Sequence, residues 1–197
     1  MKVLHIDSST LGERSASRAL TQRVVDNIRA QYPDAQVVER DLEREPLPQL
    51  SGAALGGDAV ATAEWAARAD ALIAELKTAD VVVIGVPLYN FSIPASLKTW
   101  IDHVSAAGKT FRYSASGVEG LLRDKPVILV GTAGGVHAST SVHHSHTGYV
   151  EHVLHFLGVK DVRTVEVEGL AVPELRDKAL QLAQHRIDHE LFSQRAA

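Results

Sequence analysis

The chain has 197 residues and a mass of 21.2 kDa, which is the size of one generous domain. Apolar residues make up 45% and charged residues 22%, values typical of a soluble globular protein, so a largely disordered or fibrous chain is excluded. The net charge of −4 comes without a long run of one sign, which argues against a nucleic-acid surface or a polybasic membrane patch. Cysteine is absent, so disulfides, thiolate metal sites and a cysteine nucleophile are excluded.

Neither a secretory signal nor a membrane span is predicted. Met1 and Lys2 lead directly into an apolar stretch that is too short for a signal peptide. No stretch approaches the ~20 apolar residues that cross a bilayer. We therefore expect a cytoplasmic protein with no membrane and no nucleic-acid partner, folded as a single domain over residues 1–197.

Short apolar runs alternate with longer amphipathic segments along the chain. The pattern predicts strands over residues 2–7, 36–40, 79–86, 126–131 and 161–167. It predicts helices over residues 17–32, 62–78, 94–107, 149–157 and 173 to about 192. Such alternation indicates an α/β fold, because parallel neighbouring strands need crossover helices. Five strands with helices on both faces favour the doubly wound, flavodoxin-like order 2-1-3-4-5.

Two segments are longer than this plan requires, and two helices carry notable apolar faces. Residues 42–61 are expected to form a covering loop, and residues 109–123 a hairpin or flap. The helix over 94–107 carries Trp100, Ile101 and Val104, an apolar face that exceeds what a five-stranded sheet needs, so we expect a homodimer that buries it. In the last helix, Leu175, Leu182 and Ile187 are expected to face inward.

The ligand of such a sheet is expected at the carboxyl edge, between the first and third strands. The first loop there, residues 8–17, carries five hydroxyl side chains and runs into a helix N-terminus, a setting that favours phosphate. One serine that caps the helix is the simpler interpretation, but a cap needs only one hydroxyl. Neither a Gly-x-Gly-x-x-Gly motif nor a P-loop motif follows the strand, so a tightly held dinucleotide or P-loop nucleotide is disfavoured.

The two other loops at this edge suit a planar ring. Residues 86–94 place Tyr89, Asn90 and Phe91 between two prolines, and flat apolar side chains favour contact with a heteroaromatic ligand over plain core packing. Residues 132–137 contain Gly134 and Gly135, which let the backbone approach a ligand closely. A Gly-Gly pair alone is more typical of an ordinary turn.

At this point the sequence resembles the FMN-dependent NAD(P)H azoreductase/quinone reductase family, whose members are dimeric flavoproteins of flavodoxin-like fold. The resemblance spans nearly the whole chain. It is carried by Ser9, the segments 15–17, 87–91 and 132–137, and residues 110–113 with 119–121 of the flap. It implies that FMN phosphate is held by Ser9, Ser15, Ala16 and Ser17. It further implies that the isoalloxazine ring is held by Leu88, Tyr89, Asn90, Phe91, Thr132, Ala133, Gly134 and Gly135.

The resemblance also implies the chemistry. FMN carries the hydride from NADH or NADPH to a quinone or azo compound, with ping-pong kinetics, and no side chain has to be a strong acid or base. Phe111 and Tyr113 are expected to wall a substrate slot formed in the dimer, and His137 is a candidate substrate contact or proton donor. Leu88 replaces the family's usual Met, and Ala133 replaces an Arg, which removes a positive charge near the ring.

Two other functions share this topology. A flavodoxin-type electron carrier has no substrate pocket, and its typical small size and marked acidity fit this chain poorly. A phospho-acceptor receiver domain needs clustered acidic residues at the first strand's end, where only Asp7 is suitably placed.

Six histidines crowd the segment 137–155, namely His137, His143, His144, His146, His152 and His155. Imidazoles at short spacing can bind a metal ion, and His152 and His155 share a helix face. Without cysteines or a carboxylate pattern beyond Glu151, a polar surface is the better interpretation, and no metal site is predicted.

Overall fold

Five parallel strands form the central sheet, and numbered along the chain within this sheet they lie in the order 2-1-3-4-5, which confirms the predicted flavodoxin-like order. The computed structural model describes residues 1–115, 117–137 and 144–191. The strands are β1 (Lys2–Asp7), β2 (Gln36–Asp41), β3 (Val81–Pro87), β6 (Val127–Thr132) and β7 (Val162–Val167). The central strands β3 and β6 are buried at every residue, as their unbroken apolar sequence requires, whereas β2 and β7 lie at the edges and are only partly covered.

Helices cover both faces of the sheet. One face carries α1 (Ala16–Gln31) and α5 (Pro173–His189), and the other carries α2 (Ala59–Thr78), α3 (Ala95–Val104) and α4 (Ser145–Leu157). Each helix buries one stripe of its surface against the strands. Within the described part of the chain, no helix is both long and apolar enough to cross a membrane.

The two long segments differ from each other. The predicted flap is an antiparallel hairpin of β4 (Phe111–Ser114) and β5 (Gly117–Gly120), separate from the main sheet. The segment 42–61 is less irregular than expected, because it contains a helical turn, Ala53–Gly57, and the first turn of α2. Asp58 accounts for the earlier start of α2, since its carboxylate accepts a hydrogen bond from the Ala61 N–H (2.8 Å).

The apolar face of α3 is not surplus in the single chain. Trp100, Ile101 and Val104 are all buried in the core that α3 shares with the sheet, α2 and the hairpin. The expectation that a dimer is needed to cover these side chains was therefore wrong. The last helix also differs from its prediction, because Leu175 and Leu182 are exposed and Ala183 is buried beside Ile187.

Candidate functional site

The loops that follow β1, β3 and β6 meet at the carboxyl edge of the sheet and enclose a cavity of about 210 Å³. This is the edge at which the strand order reverses, where an open α/β sheet binds its ligand. Eight of the predicted cofactor-binding residues line the cavity: Ser9, Ser15, Ala16, Leu88, Tyr89, Thr132, Ala133 and Gly134.

The serine loop presents hydrogen-bond donors to this cavity. Ser15 caps α1, because its hydroxyl accepts from the Arg18 N–H (3.2 Å) and lies 3.0 Å from the Ser17 hydroxyl. The Ala16 and Ser17 N–H groups belong to the first turn of α1, where amides have no acceptor within the helix. The N-terminal end of the helix therefore offers the cavity free amides and a partial positive charge.

Tyr89 joins the second loop to the first. Its hydroxyl lies 3.1 Å from the Ser9 hydroxyl and accepts a hydrogen bond from the Thr10 N–H (3.2 Å). Tyr89 and Ser92 exchange two backbone hydrogen bonds (2.9 and 3.0 Å) around a two-residue turn. Asn90 and Phe91 form that turn with φ of 48° and 67°, the left-handed geometry of a type I′ turn. Phe91 is held at a φ that bulky residues rarely adopt, and its side chain is 69% exposed.

The Gly-Gly loop is bound to the segment that follows β7. Ala133, Gly134 and Gly135 each accept a backbone hydrogen bond, from Leu170 (3.1 Å), Ala171 (2.9 Å) and Gly169 (2.8 Å) respectively. The N–H and C=O of one peptide point in opposite directions, so the Gly134 and Gly135 N–H groups point away from this segment. A Cβ on Gly134 would lie 3.3 Å from the Ala171 Cβ, which shows how closely the two segments approach.

The remaining predicted residues lie near the cavity loops or on the flap, but they do not line the cavity of the described chain. Ser17 is buried beneath the serine loop, and Asn90, Phe91 and Gly135 are exposed on the other two loops. His137 is half-buried, and its ring lies over Gly135. The two flap residues contact each other edge to face (5.6 Å between ring centroids) but differ in burial. Tyr113 is 76% exposed, whereas Phe111 is buried and its ring packs against Phe156 at a centroid distance of 4.7 Å.

Sequence reasoning missed six cavity residues, and three of them come from the loop after β7 and the start of α5. These are Leu170, Ala171 and Arg176, and the others are Leu11, Arg14 and Pro87. Arg176 is oriented toward this edge by a hydrogen bond from its Nη1 to the Leu170 carbonyl (3.0 Å). Arg176 could have been noticed in the sequence, because it lies in the first turn of a helix at the carboxyl edge. A cation at this position is unfavourable for the helix dipole, so its presence there is unusual.

Comparison with known proteins places this architecture in a family. A family model described as flavodoxin-like fold matches residues 1–191. The FMN-dependent NADH:quinone oxidoreductase of Ralstonia nicotianae is 44% identical, with both chains fully covered. The FMN-dependent NADH:quinone oxidoreductase 1 of Pseudomonas putida is also 44% identical, over 98% of this chain and 99% of the relative. The chain belongs to the FMN-dependent NADH:quinone oxidoreductase family. Among solved structures, an azoreductase from Bacillus anthracis superposes with a TM-score of 0.87 at 29% identity, covering 95% of this chain and 97% of that one.

The residues that line the cavity suit FMN, the cofactor in the name of the family. Its lining combines serine hydroxyls and helix N-terminal amides at one end with the flat backbone of the Gly-Gly loop at the other. Arg14 and Arg176 are charged residues of the lining, and no carboxylate lines the cavity in the described part of the chain. A donor set without carboxylates fits a phosphate dianion, and the backbone-walled part fits a planar ring.

Two acidic side chains beside the serine loop, Asp41 and Asp7, have partners within the fold. The Arg18 guanidinium donates to both oxygens of Asp41 (2.6 and 2.7 Å) and lowers the pKa of that carboxyl to about 2. Asp7 accepts from the Thr21 hydroxyl (3.0 Å) and lies 3.4 Å from the Nε2 of His5. Neither of these two carboxylates lines the cavity.

The histidine-rich segment does not form a metal centre in the residues that the structure describes. His144 Nδ1 lies 2.9 Å from Glu166 Oε1, and Thr147 also donates to this carboxylate. His146 is buried, and desolvation lowers its pKa below the usual histidine value. His152 and His155 are exposed on α4, and His143 lies outside the described residues. A Cβ on Gly131 would lie 2.6 Å from Thr147 Cγ2, so this glycine makes room for the cluster.

Proposed function

We propose that this protein reduces quinones and azo compounds with NADH or NADPH, using FMN bound at the carboxyl edge of the sheet. The observation that carries the proposal is the convergence of the serine loop, the Tyr89 loop and the Gly-Gly loop on one cavity whose lining lacks carboxylates. The 44% identical relatives named FMN-dependent NADH:quinone oxidoreductase support the same activity.

The chain's own residues bind and orient in this proposal. The hydroxyls of Ser9 and Ser15 and the first amides of α1 hold the phosphate. The loops over residues 88–91 and 132–135 hold the ring, and their backbone N–H groups stabilise negative charge on its polar edge. When bound, FMN supplies the two-electron redox chemistry between the nicotinamide and the acceptor. Tyr113 and His137 are proposed as substrate contacts or proton donors on the open side.

The purified protein tests the class and the cofactor together. We expect a visible spectrum of oxidised flavin that bleaches on anaerobic addition of NADH and returns when a quinone is added. Donor and acceptor use one slot in turn, so the double-reciprocal plots should be parallel, as in a ping-pong mechanism. A flavin that bleaches without sustained quinone turnover would instead indicate an electron carrier. Matched titrations with NADH and NADPH establish the preferred electron donor. These experiments do not address cellular location, so the cytoplasmic location stays a prediction.

We also propose a homodimer in which the hairpin of one subunit reaches the slot of the other. The hairpin presents Tyr113 and Val118 to solvent, and Phe91 and Val136 are exposed at the cavity edge, so apolar surface is available on both sides. Tyr113 is the informative side chain, because truncating the buried Phe111 would also disturb the core beside Phe156.

Tyr113→Ala should lower quinone turnover at least severalfold while FMN content stays unchanged. Tyr32→Ala, at an exposed tyrosine at the far end of α1, should change neither and is the matched control. Light scattering that finds a fully active monomer would contradict the shared slot.

A further inference from the structure

Arg18 joins the serine loop to the edge strand β2, and no cofactor role was predicted for it. Its Nε and Nη2 both donate to the Ser9 carbonyl (3.2 and 2.8 Å), and its Nη1 and Nη2 donate to the two oxygens of Asp41 (2.6 and 2.7 Å). Both side chains are largely buried, with exposures of 17% and 19%. One planar guanidinium thus fixes a backbone carbonyl and a carboxylate at the same time.

The consequence for Ser9 is directional. Its carbonyl is turned toward Arg18, whereas its hydroxyl lies by the cavity, 3.1 Å from the Tyr89 hydroxyl, and accepts from the Leu11 N–H (3.3 Å). A carbonyl oxygen facing the phosphate end would repel an anion, because its dipole is negative there. Turning this carbonyl away leaves hydroxyl and amide donors as the loop's contribution to the cavity.

Arg18 itself does not line the cavity. It lies behind the loop, between Asp41 and Asp7, whose Oδ2 is 3.7 Å from Nη1, so two carboxylates offset its charge. Direct attraction between Arg18 and a phosphate is therefore weak compared with its effect on the Ser9 peptide. Asp41 is held in turn by the Glu43 and Arg44 N–H groups (3.0 and 3.2 Å), which fixes the far side of the pair.

We propose that Arg18 and Asp41 are positioning residues that orient the Ser9 peptide for the phosphate of FMN. This inference rests on the proposed function, because it presupposes that FMN binds with its phosphate at the serine loop. It predicts that the pair acts on the phosphate end of the cofactor and leaves the ring end unaffected. Riboflavin carries the same ring without the phosphate, so comparing the two flavins separates these effects.

The experiment measures the dissociation constants of FMN and riboflavin for apoprotein, from the quenching of flavin fluorescence. Arg18→Gln should weaken FMN binding by about tenfold or more and change riboflavin binding by less than about twofold. Arg18→Lys keeps the charge but cannot form both pairs of bonds, so it should restore only part of the loss. Asp41→Asn should weaken FMN binding in the same selective way but less.

Arg23→Gln is the matched control. Arg23 also lies on α1 and also forms a two-pronged pair, with Asp188 of α5, but it is remote from the serine loop. It should leave both dissociation constants unchanged. Equal weakening of FMN and riboflavin by both Arg18→Gln and Asp41→Asn, or no weakening by either, would overturn the inference. If wild-type protein binds FMN no more tightly than riboflavin, the proposed phosphate site itself is wrong.

Discussion

Phe91 occupies a backbone conformation that glycine adopts more readily, and this makes its strain measurable. Its φ is 67°, and its side chain is 69% exposed, so the conformation is not explained by burial of the ring in this chain. A left-handed conformation costs a residue with a Cβ roughly 1–2 kcal/mol, and the greater freedom of glycine in the unfolded chain cancels about half of the gain on replacement. We therefore expect Phe91→Gly to be more stable than Phe91→Ala by about 0.5–1 kcal/mol.

The comparison of Gly with Ala removes the ring from both variants, so that only the Cβ differs. For a chain of this size, 1 kcal/mol corresponds to about 2–4 °C in Tm, which differential scanning calorimetry resolves. Leu55 provides the control, because it is 72% exposed with a φ of −90°, where Ala should be the more stable by about 0.5–1 kcal/mol. An Ala variant at position 91 that is as stable as the Gly variant would refute the assignment of strain. Both variants at 91 should lose quinone turnover alike, because both lack the exposed ring.

Three further expectations concern parts of the fold away from the cavity. Gly120→Ala should lower the free energy of unfolding by about 1–3 kcal/mol, because the new Cβ would overlap the backbone of Gly158. Gly148→Ala, inside α4 with open space around its Cα, should raise it by about 0.5–1 kcal/mol, and chemical denaturation with equal m-values checks both. Burial lowers the pKa of Lys125 to about 8, and its Nζ donates to carbonyls at the end of α2. Between pH 8 and 10.5 the unfolded chain therefore binds one more proton at this lysine than the folded chain does. The free energy of unfolding of wild type should then rise relative to that of Lys125→Met, by up to about 3 kcal/mol, as the pH increases through this window. A difference between the two proteins that stays constant with pH would contradict this expectation.

The sheet could be predicted from the sequence because its signal is local. The apolar runs of β3 and β6 are bounded by turn residues, and the parallel topology follows from the helices between them. Helix starts were less accurate where a cap was overlooked. Asp58 caps α2, which begins at Ala59, three residues before its predicted start, and α4 begins at Ser145, four residues before its predicted start.

The sequence did not show which side chains of α3 and α5 are buried, because burial there depends on segments that are distant along the chain. Trp100 and its neighbours looked surplus only because the sequence does not show that the hairpin and α2 pack against α3. Leu182 is exposed on α5 although it is apolar, and Ala183 faces the core, which shifts the buried stripe by one residue. When a helix has few apolar residues, its own sequence does not define which face is buried, and packing against neighbouring elements sets its orientation.

The serine loop shows most clearly why part of the site escaped sequence reasoning. The number of hydroxyls suggested phosphate, yet two of them are used within the fold: the Ser8 hydroxyl donates to the Gly85 carbonyl (2.7 Å), and the Thr10 hydroxyl donates to the Tyr89 hydroxyl (3.3 Å). The count therefore overstates the hydroxyls that are free to bind a ligand. What makes the loop suit an anion is the direction of its peptides, and the Ser9 carbonyl is directed by Arg18, nine residues further along, together with Asp41 from another strand. Peptide direction is a tertiary property that leaves no mark in the local sequence, so the residues that set it become visible only once β2 and α1 lie side by side.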